Sequence, residues 1–282
     1  MTITTDPRQG WTSASNAAAD ALCPGRHNAQ KGIPDTERGE DADFGTHIHD
    51  ALAAQSSDVL TPEEAEVYDA CSEVEADTVR KFFTNPSDAK VFRHKRFWIG
   101  WLGPRPVSHS GEADVVYRSG DMALVLDYKT MRGEKQASPS NMQLRDLAVL
   151  VFSELMVEKV GVAIIQPSVT RKPELCLYNK DDLIVASEDL TWRVKASNDP
   201  DAQRVAGDIQ CRWCRARASC AKYAEWSSSL VPEPASPLSV AMQSWTMEQK
   251  SQVASAIPRL RKMLEEASDF LKESLREDPE SV

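Results

Sequence analysis

At 282 residues, with 41% hydrophobic and 27% charged positions, the chain can bury one large core or two modest ones and is too apolar to stay unfolded. A formal net charge of -10 excludes a surface coated in basic residues that grips duplex nucleic acid everywhere, so any phosphate contact has to be local. No run approaches the roughly 18 consecutive apolar residues of a membrane helix, and residues 1–20 lack the basic flank and apolar stretch of a secretion signal, which sets a cytoplasmic expectation without a membrane partner.

The stretch SASNAAADALCPGRHNAQKG predicts a short helix capped by Ser13 or Ser15, with Cys23 near its end and Pro24 and Gly25 as breakers. FGTHIHDALAA predicts a helix that starts at a turn through Gly45 and Thr46. TPEEAEVYDACSEVEADTVRKFF predicts a long helix: Thr61 at the N-cap, Pro62 at the first helical position and Glu64 three residues after the cap form a capping-box pattern. Strand-like runs follow at 91–101, 112–118 and 122–128, the last two joined by the tight turn RSGD. SPSNMQLRDLAVLVFSELM carries Met142, Leu147, Val151 and Leu155 at helical spacing, and the strands VGVAIIQP and PELCLY come after it. Antiparallel strands, a crossover helix and a returning strand define an α/β sheet domain. SSSLVPEPASPLSV reads as a Pro/Ser linker, and the run from Thr246 as an amphipathic helix kinked at Pro258. The expected segments are an N-terminal piece over 1–43, a core over 44–205, a cysteine segment over 206–226, a linker over 227–244 and a C-terminal helix and tail over 245–282.

Chemistry concentrates in the second and third strands. Asp127 and Lys129 occupy alternate positions and so share a face, about 7 Å apart along the strand, and Asp114 sits on the strand paired with theirs. Two carboxylates and an ammonium at one sheet edge suit Mg2+ or Mn2+, whose hard oxygen ligands are carboxylates and carbonyls. Taken alone, such a pattern also describes a surface ion pair beside an unrelated turn aspartate.

The order of motifs is more specific. GEAD (Gly111–Asp114) followed by DYKT (Asp127–Thr130), with GTHIH upstream, resembles the PD-(D/E)xK nucleases, and within them the RecB-like branch. The resemblance implies a restriction-endonuclease-like mixed sheet flanked by helices, with a metal held by His49, Asp114, Asp127 and the backbone carbonyl of Tyr128. It implies further that Lys129 assists the attacking water and that Gln143, in NMQLRDL, lies near the reacting atoms. The glycine-to-histidine spacing selects His49 over His47. Where that branch carries a tyrosine four residues after the glutamine, this chain has Leu147.

Six cysteines are present, and in a reducing compartment CRWCRARASC (Cys211, Cys214, Cys220) points to metal rather than to disulfides. Three thiolates need a fourth ligand. By coordination chemistry alone, a four-thiolate set suits tetrahedral zinc as well as an iron-sulfur cluster. The layout of Cys23 before the core and three cysteines after it resembles RecB-like nucleases of the AddB type and the nucleases of CRISPR spacer acquisition, which implies a [4Fe-4S] cluster stapling a helical subdomain. Cys71 and Cys176 are expected as buried packing residues. Local basic clusters, Arg93, Lys95 and Arg96 in RHKR and Arg212 and Arg215 beside the cysteines, are candidate DNA contacts.

The resemblance implies a metal-dependent deoxyribonuclease, an exonuclease acting on single-stranded DNA ends. The motif order resembles a phage and prophage group of RecB-like proteins, which implies recombination or replication proteins as associates. A non-catalytic nucleic-acid-binding or assembly subunit on the same scaffold is the alternative, against which the intact His-Asp-Asp-Lys set argues.

Overall fold

The computed structural model describes residues 11–33, 40–100, 109–130, 140–229, 245–248, 250–251 and 254. Two compact units divide the chain, Met1–Arg217 and Ala218–Val282.

In the first unit, β1 (Thr12–Ser13) leads through a 3-10 turn into α1 (Ala17–Leu22) and α2 (Arg26–Ala29), and then come α3 (Glu40–Ala54) and α4 (Pro62–Phe82). Strands β2 (Lys90–Ile99), β3 (His109–Ser119) and β4 (Met122–Tyr128) precede α5 (Met142–Leu155), β5 (Lys159–Ile165), β6 (Cys176–Tyr178), α6 (Lys180–Asn198) and α7 (Asp208–Arg212). The sheet is mixed: β2–β3, β3–β4 and β5–β6 are antiparallel, whereas β1–β3 and β4–β5 are parallel. The return from β4 to β5 runs through α5, as a parallel pair requires.

One face of the sheet packs on α5 through Leu144, Leu147, Leu150 and Val151, and the other on α3 and α4 through Ile48, Leu52, Cys71, Val74 and Val79. Helix α6 covers α5 with Ala186, Leu190 and Val194 against Val149. Polar fastening accompanies this contact: Arg193 grips both oxygens of fully buried Asp146 at 2.5 and 3.2 Å. Gly111 is the close-approach point of β3, since a β-carbon there would sit 2.6 Å from Leu147 Cδ2 and 2.8 Å from Ala14 Cβ.

Several local expectations shift. The Thr61 capping box forms, its hydroxyl oxygen accepting from the Glu64 N–H and its own N–H donating to Glu64 Oε2 at 2.8 Å. Ser13 makes no side-chain cap; it pairs with Ser110 in the sheet instead, so the helix it was expected to start begins at Ala17. Gly45 and Thr46 lie inside α3, which starts at Glu40, and β2 ends at Ile99. Helix α6 is additional to the sequence expectations.

The second unit contains α8 (Ala221–Ser229), where the Tyr223 and Trp226 rings lie 5.7 Å apart and Lys222 pairs with Glu225 at 2.8 Å. This helix extends into the start of the expected linker; residues 230–244 lie outside the described residues. Of the expected C-terminal helix, Met247, Glu248, Lys250, Ser251 and Ala254 are helical, and Pro258 lies outside the described residues. Among the described residues no helix is long and apolar enough to cross a membrane.

Candidate active site

The site forms where β3 and β4 part. Strand β3 pairs with β2 along one edge. Among the described residues its other edge pairs with β4 over Val115–Ser119 and with β1 at His109 and Ser110, and residues 111–114 have no strand partner on that side. Asp114 stands at the fork. Its Oδ2 accepts the Tyr128 backbone N–H at 2.7 Å, a donor that has passed the last β3–β4 rung, and its Oδ1 lies 3.3 Å from His49 Nδ1 on α3.

Asp127, at the end of β4, is 5% exposed. Lys129 Nζ reaches its Oδ2 at 2.5 Å, and Gln143 Nε2, from the first turn of α5, donates to its Oδ1 at 3.0 Å. Asn141 caps α5 by accepting the Leu144 N–H, which fixes the turn that carries Gln143. Thus His49, Asp114, Asp127, Lys129 and Gln143 come from α3, β3, the end of β4 and α5 to one end of the sheet.

The protonation balance follows from this crowding. Burial raises the Asp127 carboxyl above the ordinary range, with the Asp114 charge adding to the rise and Lys129 opposing it. Burial acts in the same sense on Asp114, but its bonds to His49 and to the Tyr128 N–H outweigh it and hold this carboxyl low. Desolvation works against the imidazolium of His49, yet the hydrogen bond to and charge of Asp114, with the Asp127 charge, raise it. Lys129 is likewise raised against its burial by Asp127. One firmly anionic carboxylate beside one that resists ionisation is the environment in which an added cation is strongly favoured.

Beneath the site lies an inner polar cluster. Glu75 of α4, 5% exposed, accepts from Arg93 Nη2 at 2.7 Å, Tyr117 OH at 2.5 Å and Tyr128 OH at 2.6 Å. Tyr128 is therefore anchored at its ring while its neighbours Asp127 and Lys129 face the opposite way. Burial and the Glu75 charge push both tyrosine hydroxyls well above their usual value, so they stay protonated donors.

The basic run RHKR is paired within the fold. Arg93 points inward to Glu75, Lys95 Nζ pairs with Glu154 at 2.6 Å over the Phe92 and Phe97 rings, and Arg96 bonds Glu112 at 2.8 Å. Each cation of that run has a carboxylate partner; Arg93 is turned into the fold, whereas the Lys95–Glu154 and Arg96–Glu112 pairs are partly exposed. The fourth member, His94, carried no role in the sequence reading. Its ligand nitrogen, that of His49 and an Asp114 oxygen lie within 4.8 Å of one another. His47 sits on the far side of its helix turn, 3.0 Å from Glu64 in the α4 cap. Leu147, where the resembled motif has tyrosine, is fully buried against β3.

At the cysteine segment, Cys23 and Cys211 are buried and Cys214 half-buried within the first unit; Cys220 belongs to the second. The Val205 N–H donates to Cys23 Sγ at 3.2 Å, a bond that stabilises a thiolate. The segment from Gly25 is tied to the cysteine region by the Gly25 N–H to Gln203 O, by Arg26 Nε to Gln210 O and by the Arg215 N–H to Gln30 Oε1. A β-carbon at Gly25 would lie 2.5 Å from Ala202 O, so that approach requires glycine. Arg212 is exposed, and the Arg215 side chain is half-buried.

Fold and site together describe a mixed α/β sheet protein with a His-Asp-Asp-Lys cluster at one sheet end. The chain belongs to the family described as "Protein of unknown function (DUF2800)", whose model matches residues 11–280. Comparison with curated proteins finds no match. Among solved structures the chain is similar to a protein named SSO0001, with 15% identity and a TM-score of 0.37 over 78% of this chain and 91% of that one. It is similar also to a candidate exonuclease from Eubacterium rectale, with 11% identity and a TM-score of 0.43 over 76% and 93%. Both are loose overall likenesses.

Proposed function

We propose that this chain is a metal-dependent deoxyribonuclease of the PD-(D/E)xK type that hydrolyses single-stranded DNA from its ends. The observation that carries the reading is the fork: Asp114 with His49 on one prong, Asp127 with Lys129 and Gln143 on the other. Four charged or chargeable groups held mostly out of water at a sheet edge cost stability that apolar residues would not, and such sites are characteristically functional.

In this reading His49, Asp114, Asp127 and the Tyr128 carbonyl hold Mg2+ or Mn2+, and the cation supplies Lewis-acid polarisation of the scissile phosphate. Water adds to phosphorus and gives up a proton to solvent, the bond to the leaving oxygen breaks, and that oxygen takes a proton back from solvent. Lys129, an ammonium at working pH, orients the water and offsets the negative charge that grows on the phosphoryl oxygens. Gln143, donating to Asp127 Oδ1, would fix the orientation of that carboxylate as a metal ligand. Arg212 and Arg215, with Arg93, Lys95 and Arg96 of the RHKR run, are the candidate DNA contacts.

The cysteines complete the proposal: Cys23, Cys211, Cys214 and Cys220 bind a [4Fe-4S] cluster as a structural staple. The burial of Cys23 and Cys211 and the N–H bond to Cys23 Sγ support it. Visible absorption of anaerobically purified protein distinguishes iron from zinc, which would leave the sample colourless.

The decisive assay incubates end-labelled linear DNA with the protein and Mn2+. Asp114→Ala or Lys129→Ala should abolish cleavage while largely retaining DNA binding, because each leaves Arg212 and Arg215 in place. Full activity in either variant overturns the site, and wild-type protein that binds DNA without cutting it is a binding module instead.

A further inference from the structure

We propose that His94 is a metal ligand, a second imidazole that gives the site a preference for Mn2+ over Mg2+; this rests on the reading of the site as a metal centre. Three features of β2 and β3 point to it.

The first is side-chain direction. Along β2, Phe92, Lys95 and Phe97 all lie on the α5 side, with Lys95 paired to Glu154 of that helix. Simple alternation from Lys95 and Phe97 puts Arg93 on that side too and His94 on the other; alternation from Phe92 puts His94 on the α5 side. Neither pattern holds throughout, because Arg93 reaches Glu75 of α4 and His94 faces His49 of α3, its ring centroid 6.5 Å from that of His49. Two consecutive side chains thus emerge on one face. Strand β3 makes the same double step, since Ala113 and Val116 belong to the α5 face, whereas Val115 and Asp114 face α3 and α4.

The second is backbone conformation. His94 has a φ of +44°, in the left-handed region that favours glycine, at the middle of a ten-residue strand. The rungs on either side, Arg93 with Val115 and Lys95 with Ala113, keep one continuous register, so no residue is inserted and His94 stands opposite Asp114. A non-glycine residue held there is an unfavourable backbone state, and such states concentrate at binding and catalytic positions. The left-handed turn is what brings the imidazole across to Asp114.

The third is the convergence itself. One ligand atom from each of His49, His94 and Asp114 lies within 4.8 Å of the others, the spacing of groups around a single ion. All three are half-buried, accessible to an entering cation. Mg2+ favours an all-oxygen octahedron that retains water. Imidazole nitrogen is a softer donor that raises affinity for transition metals relative to Mg2+. A site with one histidine among carboxylates leaves that choice open; a second histidine tips it.

Titration calorimetry of the full chain with Mn2+ alone and with Mg2+ alone, on wild type and on His94→Gly, tests the proposal. Glycine accepts the left-handed backbone, and His94→Asn, which also tolerates it, is the second variant should the strand loosen. Wild type should bind Mn2+ at least tenfold more tightly than Mg2+. Either variant should lose tenfold or more of its Mn2+ affinity, with Mg2+ affinity changed less than threefold and the metal-free melting temperature not lowered in His94→Gly. Mn2+ affinity within threefold of wild type in the variants, or equal wild-type affinity for the two ions, overturns it. Protein whose Mn2+ binding depends on His94 but which leaves DNA intact refutes the nuclease reading alone. Cleavage that survives together with unchanged Mn2+ binding in the variants refutes His94 alone.

Discussion

Replacing Glu75 with glutamine removes one charge without removing volume, and the inner cluster allows its cost to be worked out. The carboxylate accepts three hydrogen bonds, from Arg93, Tyr117 and Tyr128, at 2.5–2.7 Å. An amide oxygen can keep the bonds from Arg93 and Tyr117, while its NH2 replaces the oxygen that accepted from Tyr128, whose hydroxyl must then turn its proton elsewhere, and the charge that balances Arg93 is gone. Removing one partner of a buried pair costs about 3–5 kcal/mol. Arg93 retains 15% of its side-chain exposure, so water recovers part of that charge, and about 2–4 kcal/mol is the expected loss. With an unfolding entropy near 2.1 cal/mol/K per residue over the unit Met1–Arg217, this corresponds to a fall of about 4–9 °C in melting temperature. Differential scanning fluorimetry measures it. The double variant Glu75→Leu with Arg93→Met removes both charges and should cost less than the two single changes added together. A fall of under about 2 °C for Glu75→Gln would refute the claim that this cluster anchors Tyr128 beneath the site.

Other perturbations probe separate parts of the molecule. Circular single-stranded DNA should resist conditions that degrade the linear form; equal loss of both makes the protein an endonuclease. Cys23→Ser and Cys220→Ser should each give colourless, thermally weakened protein, whereas Cys71→Ser keeps its colour and costs about 1 kcal/mol, because burial pushes the Cys71 thiol up to about 12 and leaves it no thiolate to offer; a Cys23→Ser protein with full iron content removes the staple. Leu147→Tyr, which restores the residue of the resembled motif, should lose about 1–3 kcal/mol by overpacking against Gly111 and gain no DNA affinity; tighter DNA binding would show that the ring reaches solvent. The Thr61 N–H and hydroxyl hold the Glu64 carboxyl below its ordinary value of 4.5, so its stabilisation is fully present above that pH and is lost as pH falls through the depressed folded value. The stability gap between wild type and Glu64→Gln, read by urea unfolding, should therefore close on acidification, and a gap constant from neutral to acid pH contradicts the assignment.

What the sequence made legible was what local chemistry dictates. Thr61, Pro62 and Glu64 announced their helix because a cap is decided within four residues, and RSGD announced its turn because Gly120 takes up a φ of +59°. Asp114, Asp127, Lys129, His49 and Gln143 were singled out by motif spacing and lie together at the fork. His94 was illegible for a physical reason: left-handed backbone is signalled by glycine or asparagine, and a histidine between cations reads as part of a charged run. The pairing of that run with Glu75, Glu112 and Glu154 is long-range and leaves no local trace. Helix α6 escaped notice because its apolar residues do not keep to one stripe; Ile184, Val185 and Trp192 are exposed while Leu183, Leu190 and Val194 are buried. Strand β1 is two residues long and exists only because β3 offers it an edge.

The ties between Gly25–Gln30 and Gln203–Arg215 have a temporal meaning during synthesis. The bond from the Arg215 N–H to Gln30 spans 185 positions. At about 5–20 residues per second, Gln30 waits roughly 9–37 s between its own addition and that of its partner. Through that interval the Cys23 thiol lacks the Val205 N–H that bonds it in the fold, and faces the oxidants and metal ions of its surroundings as an open side chain. The nascent chain is thus most vulnerable at a residue that ends up buried, and the order of synthesis makes the N-terminal helices the last part of the first unit to find their place.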